Sequence, residues 1–461
     1  MTLLPPADPL PDPPALSDAA RWRTFLWLWG SQALSVLGGG LSAFAMNIYL
    51  TQSRFPLEAQ KPELAAALAL TGLGWGAAAI LGAPLAGALA DRWNRRRMMI
   101  TCDLLGALLL ALGVLMVTLG TPPVWLLTLF TAALGLVGTF HGSAFDTSYS
   151  SLVTRDRLPR ANGLMQTLWS LSGLLSPALA ALLIGLPALA RQGEAPGVLA
   201  GALAGLPDGV PLALGIDAAS FLLAAAVVSR LHWPQPPRRD GGRGRPSLAQ
   251  DMRFGWTFIG RRPALLHLLL TFAGVNLLTS GVGVLHPLLV RFTLGTPADG
   301  TGAALATVWT ALSAGGLLGG LLVSVTGGLK RRRVLGVLVP MIAAGTAQAL
   351  SGVAGSLPLT AACVLAFGVM TPIMNAHSQS IWQAQVAPEL QGRVFSVRRL
   401  IAQFTAPLST ALAGLLAAHG GAGSILLWSG VLMAVLATAQ LLNPHLRRVE
   451  DPLPEAPPLT A

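Results

Sequence analysis

Acidic residues and cysteines are scarce in this chain of 461 residues. It has 19 Asp and Glu against 30 Lys and Arg, charged residues make up only 11% of it, and there are two Cys. Because Cys102 and Cys363 lie far apart within apolar runs, we expect neither a disulfide nor a Cys-based metal site. The sequence also lacks a nucleophile–base pair, metal-ligand spacing and a phosphate-binding loop. We therefore predict a non-enzymatic protein without metal or cofactor.

Long apolar runs are abundant instead. Hydrophobic residues make up 53% of the chain and the mean hydropathy is +0.63, which excludes a soluble multidomain protein. A helix needs roughly 20 apolar residues to cross about 30 Å of hydrocarbon, and twelve runs meet this length. The predicted spans are 24–50, 64–90, 98–119, 123–151, 163–187, 210–231, 264–291, 302–326, 334–354, 357–383, 400–419 and 423–443.

The Lys and Arg residues fall mostly on alternate connections between these spans. One side holds 26 of them, and the other side holds 4. Lys and Arg are retained in the cytoplasm during insertion. The split therefore predicts a multi-pass protein of the bacterial inner membrane with both termini in the cytoplasm. Since the arginines lie in short loops, we expect them to face membrane lipid headgroups and not nucleic acid.

The chain divides into two similar halves. Residues 152–183 align without gaps on 385–416, and nine of the 32 positions are identical, including Arg160 with Arg393. Parallel six-span repeats of this kind build transporters whose substrate site lies between the halves. The predicted parts are a disordered cytoplasmic tail 1–22, a six-helix bundle 23–231, a cytoplasmic linker 232–263 with an amphipathic helix from Ser247, a second six-helix bundle 264–443, and a cytoplasmic tail 444–461, disordered after Pro444.

A glycine-rich and arginine-rich segment follows the second span. It reads GAPLAGALADRWNRRRMM from Gly82 to Met99. This segment resembles the loop signature of the major facilitator superfamily, with Asn94 in place of the second glycine. The resemblance implies an all-α membrane protein of twelve helices in two six-helix bundles. It also implies a conformational latch at the cytoplasmic face, whose members are Gly82, Gly87, Asp91, Arg92, Arg95 and Arg96.

The corresponding loop of the second half is GGLKRRR, from Gly327 to Arg333. It keeps the basic run but has no acidic residue. We therefore expect an asymmetric latch, with its acidic member in the first half. In that half Asp91, at a helix end, is suited to pair with an arginine and with helix-terminal N–H groups. Asp103, early in the third span, is assigned to the same latch region.

Shorter motifs are similar to the branch of the superfamily that includes enterobactin exporters and macrolide efflux proteins. They are LPRANGLMQTLWSLSGLLSPALAALL, GIDAASFLL, SLAQDMRFGWTFI and ELQGRVFSV. The fifth span also resembles the family's antiporter motif, with Ser172, Ser176 and Pro177 at its small-residue and proline positions. Small residues and a proline there predict close helix packing and a kink.

Ionisable residues deep in a membrane are functional candidates because their burial is costly. The candidates for proton coupling are Asp146, Asp217, His141, His286 and His377. Asp146 is the first choice for the coupling group. Its position allows two locations, the substrate cavity or the cytoplasmic latch. For Asp217 we favour a structural role, bonded to neighbouring helices, over a coupling role.

Neutral polar and aromatic residues on the spans that line the cavity in this superfamily are candidates for substrate contact. They are Gln32, Asn47, Asn276, Asn375, Gln379 and Trp169. Each has an alternative role in helix–helix bonding or, for Trp169, in interfacial anchoring. The predicted function is secondary active transport, as proton-coupled efflux of an amphipathic small molecule by a monomer. The alternatives are a nutrient importer, a lipid flippase, and a membrane sensor or scaffold without transport.

Overall fold

A computed structural model describes residues 17–154, 157–193, 200–231, 248–387 and 390–451, and these residues form helices and no strands. The α-helices are α1 Asp18–Ile48, α2 Lys61–Arg92, α3 Arg95–Leu119, α4 Val124–Leu152, α5 Leu158–Arg191, α6 Ala200–Ala204, α7 Val210–Arg230, α8 Leu248–Gly260, α9 Pro263–Thr279, α10 Val282–Leu288, α11 Thr301–Thr326, α12 Arg333–Val353, α13 Leu357–Gln385, α14 Gln391–His419, α15 Ala422–Leu441 and α16 Pro444–Arg447. Two π-helical turns, Tyr49–Arg54 and Leu289–Thr293, extend α1 and α10.

The helices match the predicted spans. Within the described residues, eleven helical segments are long and apolar enough to cross a membrane, and Phe404–His419 of α14 is a shorter twelfth. Prolines in the first turn, where no backbone N–H is needed, help to fix where helices begin. Such prolines are Pro62, Pro159, Pro211, Pro263, Pro358 and Pro444. The all-α prediction is confirmed.

Glycines allow neighbouring helices to touch backbone to backbone. On α12 and α15, Gly345 and Gly430 face each other so closely that a Cβ on Gly345 would lie 2.7 Å from the Gly430 carbonyl oxygen. Helix association in a membrane depends on such packing because lipid and side chains are equally apolar. Residues larger than glycine would force these two helices apart.

Three clusters of buried apolar residues show how the two halves meet. One cluster joins residues of both halves, including Ile48, Leu64, Leu289 and Leu305. We call this side of the molecule the opposite end, because the helix termini there carry few basic residues. The other two clusters each belong to a single half and lie at the other side, the basic end, where α3, α5 and α12 begin. Among the described residues, the apolar cluster shared by the halves therefore lies at the opposite end, and the clusters at the basic end each stay within one half.

Two pairs of long helices make the main contacts between the halves. Helix α2 meets α14, where a Cβ on Gly72 would lie 3.2 Å from Thr410. Helix α5 meets α11, where the Ser313 hydroxyl donates to the Gly173 carbonyl oxygen at 2.7 Å. These contacts lie in the middle of the helices or toward the opposite end. The space between the halves at the basic end is called the central cleft below.

The terminal segments are more ordered than the sequence predicts. Helix α1 begins at Asp18, capped by the Ser17 hydroxyl, so the predicted tail 1–22 extends too far. Residues 444–451 were predicted as part of a disordered tail, but Leu446 and Val449 are buried in the apolar cluster of the second half. The predicted amphipathic helix is present as α8, which buries Phe258 in the same cluster. Half of the linker, 232–247, lies outside the described residues.

Candidate functional site

One face of α4 is open at the basic end. A Cβ on Gly138 or Gly142 would meet no described atom within 4 Å, and Asp146, one turn further on, is exposed. A charged side chain in a membrane helix faces water or protein and not lipid. We infer that this face of α4 lines the central cleft and brings Asp146 to it.

We infer that an open face of helix α13 supplies the matching wall from the second half. Asn375 is exposed, and Gln379, one turn further on, is half-buried and accepts a 2.6 Å hydrogen bond from Nη1 of Arg398 on α14. The Arg398 guanidinium also lies 5.2 Å from the ring centre of Trp382. Arg398 was counted as a loop charge, and only the structure brings it inside a helix beside Gln379. The cleft thus has an acid on one wall and a cation on the other.

The glycine run of α1 holds two other helices close. A Cβ on Gly40 would touch the hydroxyls of Ser172 and Ser176 on α5. Both serines donate 3.0 Å hydrogen bonds to carbonyl oxygens of α1, at Val36 and Leu37 respectively. The antiporter-like segment therefore bonds α5 to α1. Pro177 follows within the same helix and is buried.

Asp217 lies on the other side of the same glycine run. Its side chain is 2% exposed, its Oδ1 lies 3.3 Å from the Ser220 hydroxyl, and it contacts α1 at Gly38. A larger residue at Gly38 would displace the carboxyl group. The geometry favours the structural role for Asp217 over a place in the cleft.

His141 faces an acid on the neighbouring helix. Its Nε2 lies 3.1 Å from Oδ1 of Asp103 on α3, and Asp103 is completely buried. The angle is outside hydrogen-bond geometry, so the contact is electrostatic when the ring is protonated. The two residues lie on different helices and 38 positions apart, so no signal in the sequence indicates this pair.

His286 lies beside a small internal cavity of the second half. The ring is buried and stands edge-on to Trp309, with 5.9 Å between ring centres. The cavity, about 20 Å³ in volume, is also lined by Gln348 and Ser351. This volume suffices for about one water molecule. His286 is therefore enclosed within the second half, against this cavity.

His377 supports the loop between α11 and α12. Its Nε2 accepts a 2.8 Å hydrogen bond from the Leu329 N–H, and its Nδ1 lies 2.7 Å from the Ile373 carbonyl oxygen. The ring also touches Gly328, whose φ of +65° only glycine adopts readily. With both nitrogens engaged, His377 positions the GGLKRRR loop.

The remaining predicted contact residues differ in position. Gln32 is buried and its Nε2 has no partner among the described residues. Asn47 donates to the Ala43 carbonyl oxygen of its own helix. Asn276 is half-buried, and Trp169 is 61% exposed on α5.

The predicted latch contains arginines that cap helix ends. Arg95 donates through Nε to the Ala90 carbonyl oxygen of α2 and through Nη1 to the Thr147 carbonyl oxygen of α4, at 3.2 and 3.0 Å. Arg96 donates to the Val228 carbonyl oxygen at the end of α7 at 3.1 Å. Cations at helix C-termini are favourable because carbonyl groups there lack partners. These bonds tie four helices of the first half together.

Other latch members are less fully described. A Cβ on Gly82 would contact Leu136 of α4, so α2 and α4 approach each other closely there. Gly87 is exposed, and a Cβ there would meet no described atom within 4 Å. The side chains of Asp91 and Arg92 lie outside what the structure describes.

The second half receives an acid from the C-terminal segment. Oε1 of Glu450 accepts a 3.1 Å hydrogen bond from the Val334 N–H in the first turn of α12. Gln385 of α13 donates through Nε2 to the Asp451 carbonyl oxygen at 3.2 Å. Glu450 thus lies where the GGLKRRR loop enters α12, although the loop itself has no acidic residue.

The opposite end is closed by contacts between the halves. Arg291, in the π-helical turn after α10, donates to the Thr296 carbonyl oxygen and to the Pro56 carbonyl oxygen of the first half, both at 2.6 Å. Gln52, in the π-helical turn after α1, donates to the Asp299 carbonyl oxygen at 3.3 Å. π-Helical turns often occur at functional sites. Sequence periodicity gave no signal for them.

Comparison with known proteins identifies the family. The model of the Major Facilitator Superfamily matches residues 28–410. The chain belongs to the Major Facilitator Superfamily. It is a membrane transporter and not an enzyme, as predicted.

Two curated relatives cover most of the chain. Macrolide efflux protein A of Streptococcus pyogenes is 25% identical over 93% of this chain and 98% of that protein. The multidrug efflux pump Tap of Mycolicibacterium fortuitum is 26% identical over 79% of this chain and 84% of the pump. The resemblance to an efflux branch of the superfamily is confirmed.

Solved structures share the fold. A D-xylose–proton symporter superposes with a TM-score of 0.64 at 13% identity, covering 90% of this chain and 96% of that one. A bacterial homolog of the human lysosomal transporter Spinster, in an inward-facing and unoccupied conformation, gives 0.62 at 17% identity, covering 95% and 99%. These likenesses establish the arrangement of the helices alone.

Proposed function

We propose that this transporter exports amphipathic small molecules by alternating access, driven by proton entry. The observation that carries the proposal is the similarity to macrolide efflux protein A, which spans 93% of this chain and 98% of that protein. The two separate apolar clusters at the basic end support it, because halves that share no apolar cluster there can part to give a substrate access to the central cleft.

The orientation follows from the charge asymmetry. With 26 of 30 Lys and Arg at the basic end, that end faces the cytoplasm of a bacterial inner membrane and both termini are cytoplasmic. Alkaline phosphatase fused after Arg448 should be inactive, and a fusion near Gly197 should be active. The reverse pair of results would overturn both the orientation and the export direction.

Closing the cleft requires the basic ends of the halves to meet. In the first half the latch is built on Arg95 and Arg96, with Asp91 as its acidic member. Asp91→Asn should slow or abolish flux while equilibrium affinity for the substrate stays within a few-fold. A large loss of affinity with normal cycling would instead make Asp91 a substrate ligand.

Asp146 is the proposed coupling group. It lies on the open face of α4, whereas Asp217 packs against α1 and His377 holds a loop. One proton moving down 100 mV provides about 2.3 kcal/mol, enough for roughly 50-fold accumulation. Asp146→Asn should abolish uphill export while downhill exchange survives, and Asp217→Asn is the matched control. Uphill export with unchanged pH dependence in Asp146→Asn would refute the assignment.

Transport into inverted membrane vesicles tests the whole proposal. Lipophilic cations, macrolides and catechol siderophores would be offered with and without a pH gradient. Accumulation that depends on the gradient is expected for at least one amphipathic class. Movement in the import direction, movement of lipid alone, or no movement would favour the importer, the flippase and the scaffold respectively.

A further inference from the structure

A groove opens on the outer surface of the first half, away from the central cleft. Its volume is about 470 Å³, which is in the usual range of small-molecule pockets. It is lined by Trp93, Asn94, Arg97, Met98, Thr101, Cys102, Leu105, Leu136, Val137 and Phe140. The polar members lie at the basic end, and the apolar members follow along α3 and α4 toward the membrane centre.

The groove faces lipid. Helix α3 presents a row of leucines outward, each roughly half exposed, namely Leu104, Leu105, Leu108, Leu112 and Leu115. On α4, the groove residue Leu136 is 42% exposed. Apolar side chains exposed on a membrane helix contact acyl chains. The groove is therefore a recess in the lipid-facing surface, about 12 Å long between Arg97 and Leu105 at 1.5 Å per residue.

The mouth of the groove is positively charged. Of the three consecutive arginines that begin α3, Arg95 and Arg96 are bonded to helix-terminal carbonyl oxygens. Arg97 is exposed, and its guanidinium makes no hydrogen bond or ion pair with any described residue. Trp93 beside it is 61% exposed, at the level where tryptophans meet lipid headgroups. Among the described residues, the third arginine thus presents a positive charge without an acidic partner above an apolar recess.

We propose that this groove binds one anionic phospholipid, with its phosphate at Arg97 and one acyl chain between α3 and α4. Charge complementarity selects an anionic headgroup, because basic pockets between membrane helices attract such lipids. The apolar lining selects a ligand with a chain. Since Arg97 adjoins the two latch arginines, a lipid here would rest against the first half at its basic end.

Native Cys102 reports on occupancy, because it lines the groove and is a buried free thiol. In a Cys363→Ala background, the full-length protein would be placed in vesicles of phosphatidylcholine with or without phosphatidylglycerol. Alkylation of Cys102 by a small lipid-soluble maleimide should be slower when phosphatidylglycerol is present. Equal rates in the two vesicles would overturn the proposal.

Variants separate the headgroup from the chain. Arg97→Gln should weaken the phosphatidylglycerol protection about fivefold, as expected for one basic residue at a membrane surface. Arg253→Gln is the matched control, an exposed arginine on α8 outside the groove, and should leave the protection unchanged. Leu105→Trp, at a half-exposed position, should fill the recess and reduce lipid retention measured by native mass spectrometry.

Two further outcomes would refute the lipid assignment. Equal loss of protection in Arg97→Gln and Arg253→Gln would show a general surface-charge effect. Protection of Cys102 by a transported amphipathic compound in phosphatidylcholine alone would make the groove a substrate port. The lipid measurements need no transport activity, so their failure is distinct from a failure of the proposed export function.

Discussion

Glu450 offers a direct test of how the second half organises its basic end. Its carboxylate accepts from the Val334 N–H in the first turn of α12. Loss of a capping side chain costs about 0.5–2 kcal/mol, and a negative charge at a helix N-terminus adds about 0.3–1 kcal/mol. Glu450→Gln keeps an acceptor oxygen and should lose only the charge contribution. Glu450→Ala should lose both.

The quantity to measure is the local opening of the first turn of α12, by amide hydrogen exchange. A change of 1.4 kcal/mol alters an equilibrium tenfold, so Glu450→Ala should raise amide exchange in the first turn of α12 by roughly threefold to over a hundredfold. Glu450→Gln should raise it by no more than about fivefold. The GGLKRRR loop, residues 327–333, should exchange faster too, because it leads into that turn. Peptides from α15 serve as the internal control.

A double-mutant cycle isolates the bond itself. Val334→Pro removes the donor N–H at a first-turn position that tolerates proline. In that background Glu450→Gln should have little further effect on exchange, because the shared interaction is already absent. Additive effects of the two substitutions, or unchanged exchange in Glu450→Ala, would refute the capping role.

Three further outcomes are expected. Arg291→Gln removes a charged hydrogen bond to Pro56 across the halves, worth about 1.5–3 kcal/mol. Distances between spin labels on the two halves should show the opposite end open roughly tenfold to a hundredfold more often. An unchanged distance distribution would contradict this. Ser176→Ala removes one bond to α1 and should lower the free energy of unfolding by about 0.6 kcal/mol, which a modest fall in melting temperature would show. The pH dependence of transport should be unchanged. Gly38→Val should prevent folding, because the larger side chain would displace Asp217. An assay of protein stability in detergent measures this, and wild-type stability would exclude the close packing of α1 against α7 at Gly38.

The number of spans and their order could be predicted from the sequence because they depend on local properties. A run of about 20 apolar residues must be a helix in lipid, since every backbone polar group needs a partner there. The amphipathic helix α8 was predictable for a similar reason. Residues 444–451 were not, because their order depends on Leu446 and Val449 fitting a distant cluster.

The candidate site was predictable by residue type and less so by role. The rule that deep polar residues are functional selected Asp146 and His377 alike. Only tertiary structure separates them, since His377 bonds to Leu329, 48 positions earlier in the chain. Arg398 was not among the predicted site residues, for the converse reason. It lies in a basic run that topology alone explains, yet its guanidinium reaches Gln379.

The latch shows why similar halves need not use the same residues. The first half carries Asp91 within its own loop, while the loop of the second half has none. A cluster of cations at a helix N-terminus is unfavourable because the helix dipole is positive there. Lys330 to Arg333 stand at the start of α12, and Glu450 provides a negative charge from the far end of the chain. In the second half this electrostatic requirement is therefore met by an acid distant in sequence, and we propose that Asp91 meets it in the first half. A repeat in sequence identifies where the requirement arises, but not which residue meets it.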